Sequence, residues 1–552
     1  MSKNFTVSVG KSTELAAAAK GSAKELIKKV TKRALRDAKL LAVLTDPNSD
    51  PKEIEKIVAR KRAAMRRSFF AGFNQLGGMP ISIDTYKRFM AAADQHFALE
   101  HAGYSLTLRK GLPEIGAGDQ FIMAGHEMWL QQCFGKPMRR VDIEIARHFM
   151  SKTSNVKVFP HQAWDTIMEG QGDTIRWPVD VWGFPGGQTF LKGVPAMFFE
   201  GPGAAVSYLE AQICRYFVSI IWATKARVMG TVTPRDAEFG LRAAYHELLS
   251  VGLQICRFIG SGGKAKLTSN DLAEFMYPEL ASAIGTLGHE LICSLQSFDK
   301  TLAQAELEAL DGAVSTMGGA SLLADLVDAL SIGLENVIRV MRKHPDAKLG
   351  SRIDSGDIKT QCVLHYRQFK AEGRETSTIV FEDEVTPELV KEVYDHFRQE
   401  TGVEPTMLFP GAGGYWYKIH RDMVSAAFKR TATGKNPNVK FSNSPGKEST
   451  GGYLRVFGRG DVMLVADKSE EGSIDGVPLY HKLVTQGKIV YRESFQHQAQ
   501  RADATWGKYT KVEYSPLIQS YRERFASMRE KEVSEARERL IAQGWDWLKE
   551  VA

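Results

Sequence analysis

Cysteine is scarce in this sequence, and its placement argues against two classes of small stabilised domain. Only five of the 552 residues are cysteine, and no two of them form a CxxC pair. An odd number of scattered cysteines argues against a disulfide framework and against a structural zinc site. Cysteine usage of this kind is typical of a reducing compartment, so we expect the protein to be cytoplasmic.

Long hydrophobic runs, internal repeats and low-complexity tracts are absent from the sequence as well. No apolar run reaches the roughly 20 residues that a membrane helix needs. The N-terminal residues lack the apolar core of a secretory signal. The sequence therefore predicts no membrane partner.

The sequence has no large excess of charge of one sign. The chain has 72 Lys and Arg against 65 Asp and Glu, which gives a formal net charge of +7. A bias this small suits an anionic substrate as well as nucleic acid. The excess of positive charge is equally compatible with having no functional meaning. The basic stretch KEIEKIVARKRAAMRRSFF, 52–70, is interpreted as a solvated helix, so we do not expect a nucleic-acid partner.

What the chain does contain is a change of pattern along its length. Helical composition from about residue 13 to 44 ends at the breaker-rich stretch TDPNSDP. Short strand-like runs punctuated by Gly and Pro then continue to about residue 199. From about 204 to 416, long helical patterns alternate with short apolar segments, which indicates βα units and a parallel sheet or barrel. Short strands return after about 424, and a charged helix is predicted from about 530 to 551.

A chain of this length exceeds what one compact core holds, so we expect two or more domains. The changes of pattern predict a helical extension, an N-terminal α+β domain, a βα-barrel catalytic domain, and a C-terminal region of strands and a helix. Their predicted bounds are 1–60, 61–203, 204–424 and 425–552.

Five segments share a polar or Gly-rich cluster at the end of an apolar run. They are DAEFGLR (236–242), IGTLGHE (284–290), SRIDSGD (351–357), TIVFEDE (378–384) and MLFPGAGG (407–414). In a parallel βα barrel the ends of such strands meet at one face, where the active site lies. The pattern therefore predicts that these segments converge.

Carboxylates and a Gly-rich turn stand at two of these strand ends. Asp354 and Asp357 flank a Ser-Gly turn, with Arg352 just before them. They suit ribose hydroxyls or a magnesium ion bound to pyrophosphate, and a turn with an Asx-type hydrogen bond explains them equally well. The GAGG turn, 411–414, exposes backbone N–H groups that can bind a phosphate, although most such turns are plain turns.

A histidine and an aromatic–arginine pair stand at two further strand ends. His289 follows an apolar run and can accept a phosphoryl group if a carboxylate such as Asp325 or Asp328 holds its second ring nitrogen. A structural or solvated histidine is the commoner case. In EFGLR, Phe239 can flank a flat ring and Arg242 can neutralise a carboxylate or phosphate, although an ordinary ion pair is the alternative.

In this order the segments resemble the nicotinate phosphoribosyltransferase family, whose members are type II phosphoribosyltransferases. RIDSGD is the most specific match, and GTLGHE is similar to the family's Gly-Thr-x-x-His. The other similar segments are EFGLR, LTSNDLAEF (267–275), ADLVDAL (324–330), IVFEDE and VKFSNSPGK (439–447). Together they span about 221 to 447, some two fifths of the chain.

The resemblance implies an α/β fold. It is an irregular TIM-like βα barrel with an N-terminal α+β domain, similar to an open-faced β-sandwich and completed by C-terminal strands that pack back on it. It implies an enzyme of NAD salvage that joins nicotinate to phosphoribosyl pyrophosphate. The products are nicotinate mononucleotide and pyrophosphate. Mg²⁺ and ATP are the implied cofactor and co-substrate, and a homodimer is expected.

The resemblance also implies roles for individual residues. The implied catalytic residues are His289, which ATP phosphorylates in the family's coupled cycle, with Asp325, Asp354 and Asp383. The implied substrate-binding residues are Glu238, Phe239, Arg242, Arg227, Thr286, Arg352 and Ser355. The implied phosphate-binding residues are Gly411, Gly413, Gly414 and Lys447. No side chain is expected to ligate Mg²⁺ directly, because the pyrophosphate carries the ion, near Asp354 and Asp357.

Two departures from the family pattern leave the ring substrate open. GAGG stands where the family usually has Gly-x-Gly-Thr, and it is more similar to the loop of nicotinamide phosphoribosyltransferase. EFGLRAA has one Arg where many nicotinate enzymes have two. Nicotinamide is therefore the alternative base, and a non-catalytic nucleotide-binding descendant is the alternative from another class.

Overall fold

The structure, a computed structural model, describes residues 42–43, 46, 48–72, 80–323, 325–442 and 447–550. The chain divides into two compact units, Met1–Ser68 and Phe69–Ala552. Helix Pro51–Gly72 accounts for most of the described part of the first unit and confirms the predicted basic helix. The helix predicted for residues 13–44 lies almost entirely outside the described residues. None of the described helices is both long and apolar enough to span a bilayer.

Seven parallel strands form the half-barrel that carries the site, and we number them β1 to β7 along the chain. They lie in the sheet order β3-β2-β1-β7-β6-β5-β4, so the barrel is open between β3 and β4. Their bounds, from β1 to β7, are Ala237–Glu238, Leu267–Thr268, Ser282–Ala283, Gly319–Leu323, Lys348–Ile353, Ile379–Phe381 and Leu408–Ala412. The prediction of a parallel βα barrel between 204 and 424 is confirmed in its fold class.

The helices between these strands begin and end at residues that suit helix termini. The Asp357 carboxylate accepts a hydrogen bond from the Thr360 backbone N–H across 3.3 Å at one helix start. Thr301 and Gln304 form a capping box at another, and Gly318 closes that helix with φ 72°. The helices that follow β1 to β6 are Glu247–Gly260, Asp271–Met276, His289–Ser294, Leu302–Met317, Leu334–Lys343, Ile358–Ala371 and Pro387–Thr401.

A seven-stranded sheet with antiparallel pairing joins the N-terminal and C-terminal parts of the second unit. Strand His101–Thr107 pairs with Pro195–Pro202 on one side and with Ala427–Thr433, from the C-terminal part, on the other. In sheet order the strands are Asn436–Pro437, Ala427–Thr433, His101–Thr107, Pro195–Pro202, Asp180–Gly183, His481–Thr485 and Lys488–Ile489. This pairing confirms that C-terminal strands complete the N-terminal sheet. The predicted domain boundaries stay predictions.

The remaining strands form smaller sheets. One has four strands, Val477–Pro478, Leu454–Arg459, Val462–Asp467 and Lys511–Tyr514. Two others are pairs, Gln120–Ile122 with Thr189–Leu191 and Met138–Arg139 with Thr174–Ile175. The other helices are Thr85–Ala93, Gln95–Leu99, His126–Phe134, Arg140–His148, His161–Met168, Gly203–Tyr208, Glu210–Ile213, Tyr216–Val232, Gly414–Tyr417, Arg421–Val424, Phe495–Thr505 and Pro516–Ala542.

The bounds predicted for the terminal helix were wrong. It runs from Pro516 to Ala542, where the sequence pattern predicted about 530 to 551. The Ser515 hydroxyl accepts a hydrogen bond from the Ile518 backbone N–H across 3.3 Å, and a Pro at the first helical position suits a helix start. The earlier start therefore follows from local capping, which the charge pattern used for the prediction does not record.

Candidate functional site

All five predicted segments follow parallel strands at the same edge of the half-barrel. DAEFGLR contains β1, and SRIDSGD, TIVFEDE and MLFPGAGG contain the ends of β5, β6 and β7. IGTLGHE follows β3 directly. Because the strands are parallel, their carboxyl ends lie at one edge, and the predicted convergence is confirmed.

A cavity of about 590 Å³ opens at this edge. Its walls combine predicted residues with others that the sequence analysis did not select. The predicted lining residues are Phe239, Arg242, Asp354, Asp383, Gly411, Gly413 and Gly414, and the others include Glu114, Lys225, Glu382, Glu384, Glu388, Tyr415 and Lys418. Glu114 comes from the segment RKGLPEIGAG, so the N-terminal part of the same chain also reaches the cavity.

His289 lies beside this cavity and is held by a carboxylate. Its Nε2 atom is 2.7 Å from Asp325 Oδ1, and its Nδ1 atom is 3.9 Å from Asp354 Oδ2. The second oxygen of Asp325 accepts a hydrogen bond from the Ser355 hydroxyl across 2.8 Å. A neutral imidazole that donates from Nε2 to Asp325 keeps a lone pair on Nδ1. Asp325, and not Asp328, is therefore the carboxylate that orients His289.

Asp328, the other candidate, has a local role instead. Its Oδ2 atom accepts a hydrogen bond from the Ser331 backbone N–H across 2.8 Å. A hydrogen bond from the Ser331 hydroxyl, together with that backbone bond, lowers the pKa of the exposed Asp328 carboxyl. The two aspartates are three residues apart, and only the fold distinguishes them.

Arg352 is engaged by groups of the protein itself. Its guanidinium donates to the Leu287 carbonyl across 2.8 Å, to Asp354 across 3.0 Å and to Glu382 across 2.9 Å. Burial raises the pKa of the Glu382 carboxyl to about 7, against the opposing effect of Arg352. Arg352 is thus the centre of an ion-pair network that joins β5 to β6 and links the cavity to His289 through Asp354.

A further carboxylate lies behind the His289–Asp325 pair. Glu306, on helix Leu302–Met317, is fully buried. Burial raises the pKa of Glu306 to about 7, and the negative charge of Asp325 raises it further in the same direction. No ion pair of Glu306 occurs within the described ranges of the chain. Sequence reasoning missed this residue because its helix reads as an ordinary amphipathic helix.

Glycine at 411 is required by packing. A Cβ atom there would lie 2.5 Å from the Phe239 ring and 2.7 Å from Glu382 Cγ. The Gly411 backbone therefore allows Phe239 and Glu382 to approach each other at the cavity wall. Gly414 has more room, since its nearest neighbour would be Lys418 Cε at 3.8 Å. Packing thus requires glycine at 411 and not at 414.

The segment after β6 contains strained backbone. Asp383 and Glu384 have φ values of 74° and 46°, in the left-handed region that non-glycine residues rarely adopt. Both line the cavity. Strained conformations of this kind cost on the order of 1 to 3 kcal/mol each, and they concentrate at ligand sites.

Lys225 is a cavity residue that sequence reasoning missed. The prediction selected Arg227 from the same run, ATKAR, but the two side chains leave helix Tyr216–Val232 in different directions. Lys225 Nζ donates to the carbonyl oxygens of Tyr415 and Lys418 across 2.6 and 3.1 Å. The Arg227 guanidinium instead donates to Asp503 across 2.7 Å. Helical periodicity would have separated the two positions, but only the fold shows which side faces the cavity.

Four other predicted residues have visible structural roles. Buried Glu238 accepts hydrogen bonds from the Gly240 backbone N–H and the Thr268 hydroxyl, across 2.7 and 2.9 Å. The Thr286 hydroxyl donates to the Ser321 carbonyl across 2.8 Å, which ties the loop after β3 to β4 across the open side of the barrel. Asp357 caps a helix. Lys447 has an exposed side chain, and its carbonyl accepts from Arg109 across 3.3 Å.

Comparison with solved structures identifies the fold. The crystal structure of human nicotinic acid phosphoribosyltransferase superposes with a TM-score of 0.59 at 16% identity, over 79% of this chain and 98% of that chain. Nicotinate-nucleotide pyrophosphorylase from Pyrococcus furiosus superposes with a TM-score of 0.53 at 15% identity, over 77% of this chain and 93% of that chain. This chain has the fold of the type II phosphoribosyltransferases.

No protein-family model matches the chain, and no curated protein sequence matches it. At 15–16% identity the structural likeness shows the fold and not the roles of the site residues.

Proposed function

We propose that the chain is a phosphoribosyltransferase that joins nicotinate to phosphoribosyl pyrophosphate and releases pyrophosphate. One observation carries the proposal: Asp354 and the Gly413–Gly414 turn line one cavity, and His289 is 3.9 Å from Asp354 with Asp325 on its other ring nitrogen. A carboxylate suited to the ribose, a glycine turn suited to a phosphate and a histidine suited to phosphoryl transfer thus lie at one edge of a type II phosphoribosyltransferase fold.

The proposed reaction is a displacement at C1 of the ribose. The bond from C1 to the pyrophosphate oxygen loosens, pyrophosphate leaves with the electron pair, and the pyridine nitrogen forms the new bond to C1. Positive charge builds on the sugar during this step, so the carboxylates of Asp354 and Asp383 stabilise it and hold the ribose hydroxyls. Binding the reactants in line supplies a large part of the rate.

The base is assigned to the side of the cavity formed by the turn after β1. Phe239 lines that wall and offers an aromatic face to the pyridine ring. Arg242 also lines the cavity, is exposed, and has no ion-pair partner among the residues that the structure describes. A free guanidinium beside an aromatic ring suits a ring carboxylate, which it can bind through two parallel hydrogen bonds.

The donor chemistry of the cavity fits magnesium. Six carboxylate side chains line it, those of Glu114, Asp354, Glu382, Asp383, Glu384 and Glu388, against three cations, Lys225, Arg242 and Lys418. Oxygen ligands are those that Mg²⁺ prefers, usually with several waters and substrate phosphates retained. Asp354 and Asp383 would hold the ion through water. When bound, Mg²⁺ neutralises charge on the departing pyrophosphate.

ATP coupling is proposed to run through His289. In the neutral ring held by Asp325, Nδ1 attacks the γ-phosphorus of ATP, the bond to the β,γ-bridging oxygen breaks, and ADP leaves. The ring then carries positive charge beside the Asp325 carboxylate, which stabilises it as in other oriented His–Asp pairs. Position and charge, rather than further covalent chemistry, govern such a transfer.

Nicotinamide is the second candidate base, and the state of Arg352 favours it. The hydrogen bonds of Arg352 to Leu287, Asp354 and Glu382 leave less of its guanidinium for a ring carboxylate. The neutral amide of nicotinamide does not need Arg352 as a second cation beside Arg242. Arg242 supports the acid and Arg352 supports the amide, so a direct assay has to separate them.

The deciding assay supplies phosphoribosyl pyrophosphate, Mg²⁺ and either pyridine, with and without ATP, and quantifies the mononucleotide formed. We expect nicotinate mononucleotide to form, and to form faster with ATP. Preference for nicotinamide would move the assignment to the amide. No mononucleotide from either base, together with no binding of phosphoribosyl pyrophosphate in calorimetry, would refute the proposed reaction.

A further inference from the structure

Lys225 has the features of a ligand-binding cation and none of the features of an ordinary surface lysine. It is 2% exposed and lies on helix Tyr216–Val232, yet it lines the cavity. Its ammonium group donates to two backbone carbonyls, of Tyr415 and Lys418. An ammonium group has three donors, so one hydrogen remains after these two bonds.

Among the described residues, no carboxylate is in direct contact with the ammonium group of Lys225. No carboxylate lies within 4.0 Å of Nζ in the described part of the chain. Besides burial, the charges that act on its ammonium group are that of Glu114, which stabilises the charged form, and that of Lys418, which opposes it. Tyr415 places its ring 4.5 Å from Nζ, an arrangement that favours a cation modestly. A buried cation without a counterion is costly, unless a bound anion completes it.

The same helix holds the glycine turn in place. Trp222, one helical turn before Lys225, donates from Nε1 to the Trp416 carbonyl across 2.8 Å. Lys225 binds the carbonyls on either side of that position, at 415 and 418. Residues three apart lie on one face of a helix, so a single helical face fixes the backbone of residues 415 to 418, directly after the Gly413–Gly414 turn. The ammonium group is thereby positioned next to a turn whose backbone N–H groups can bind a phosphate.

We propose that Lys225 binds the terminal phosphate monoester of the sugar phosphate, and that it does so together with the Gly413–Gly414 turn. The inference rests on the proposed function, since it concerns the ligand of the same cavity. A phosphate monoester matches the site because it brings two negative charges and several acceptors to one spare ammonium hydrogen and to backbone N–H groups. Because Lys225 contacts the backbone directly after the Gly413–Gly414 turn, it is assigned to the phosphate that this turn binds, the 5′-phosphate, and not to the pyrophosphate.

The test is calorimetric binding of two probes, ribose 5-phosphate and inorganic pyrophosphate, to the full chain. Lys225→Met removes the charge and keeps most of the stem, Lys225→Arg keeps the charge, and Lys359→Met is a control at an exposed lysine that pairs with Glu392. We expect Lys225→Met to weaken ribose 5-phosphate binding at least tenfold and pyrophosphate binding less than threefold. Lys225→Arg should retain more affinity than Lys225→Met, and Lys359→Met should match the wild type.

Equal loss of both probes, loss confined to pyrophosphate, or no loss would overturn the inference and leave the proposed reaction standing. If the wild type binds neither ribose 5-phosphate nor phosphoribosyl pyrophosphate, the proposed reaction fails first. A second measurement does not depend on the variant folding. Burial lowers the pKa of Lys225 to about 8, so wild-type affinity for ribose 5-phosphate should fall as the pH rises from 7 to 9. A flat profile over that range would count against the assignment.

Discussion

Asp325 accepts a hydrogen bond from His289 at 2.7 Å with one carboxylate oxygen and a hydrogen bond from Ser355 at 2.8 Å with the other. The carboxylate is thus fixed from two sides, by the loop after β3 and by the turn after β5. It orients the imidazole so that Nδ1 is the nitrogen left for chemistry, 3.9 Å from Asp354. A merely solvated histidine would not need a carboxylate held in this way.

The first prediction concerns this pair. His289→Ala should abolish stimulation by ATP, because the phosphoryl acceptor is removed. Asp325→Asn should reduce ATP-dependent phosphorylation at least tenfold, because an amide no longer favours the same tautomer or the charged ring. The measurement is acid-labile phosphate retained by the protein from γ-labelled ATP. Asp328→Asn is the matched control, since that residue caps a local turn, and a loss equal to that of Asp325→Asn would contradict the assignment.

The second prediction concerns the buried Glu306. Burial raises its pKa from the usual 4.5 to about 7 in the folded protein, so the folded state binds the proton more tightly than the unfolded chain. Stability contributed by the protonated group is therefore lost as the pH rises from about 4.5 through 7. Glu306→Gln removes this dependence, and it should stabilise the protein relative to the wild type by on the order of 1 kcal/mol at pH 8 and less at pH 5.

Denaturant unfolding at several pH values tests the effect of Glu306. Glu308→Gln is the control on the same helix, because Glu308 is exposed and pairs with Lys300. Its stability difference from the wild type should stay nearly constant between pH 5 and 8. If the curves of Glu306→Gln and wild type run parallel, the carboxyl does not titrate in this range and the prediction is wrong.

The third prediction concerns Gly411. An alanine there would place its Cβ 2.5 Å from Phe239 and 2.7 Å from Glu382, so one of these neighbours has to move. We expect a loss of about 1 to 3 kcal/mol of stability. We also expect weaker binding of the pyridine, because Phe239 forms the cavity wall against which the ring is proposed to pack. Thermal unfolding and binding of the base measure the two effects. Gly312→Ala is the control, since nothing lies within 4 Å of its Cβ and alanine favours a helix. An unaltered melting temperature in Gly411→Ala would show that Phe239 or Glu382 moves without cost, and the prediction would be wrong.

The fourth prediction concerns the choice between the two pyridines. Arg242→Gln should raise KM for nicotinate about 10- to 100-fold, since a ring carboxylate loses its charged partner. KM for nicotinamide should change less than threefold. Steady-state kinetics with both bases give the result directly. Equal effects on both bases would assign Arg242 to the phosphates rather than to the ring.

The alternation of pattern along the chain was sufficient to predict a parallel barrel, because a strand buried on both faces needs a short apolar run and its crossover needs a helix. The same logic placed five polar clusters at strand ends, and each of them follows a parallel strand in the structure. Of the residues chosen at those ends, Phe239, Arg242, Asp354, Asp383 and the three glycines at 411, 413 and 414 line the cavity. Period and position along a strand are local properties, so the sequence carries them.

Other features depended on distances between segments far apart in the chain. Arg227 and Lys225 are equally plausible cations in ATKAR, but helix packing directs only Lys225 at the cavity. Asp325 and Asp328 offer the same carboxylate group, but only Asp325 contacts His289. Glu382 and Glu306 are distinguished from other glutamates by burial, which raises the pKa of each carboxyl. Local sequence patterns are enough to specify the barrel and the edge that carries its chemistry. Which of two neighbouring side chains faces the cavity depends on the packing of distant segments, because desolvation and hydrogen-bond distance exist only once those segments are together.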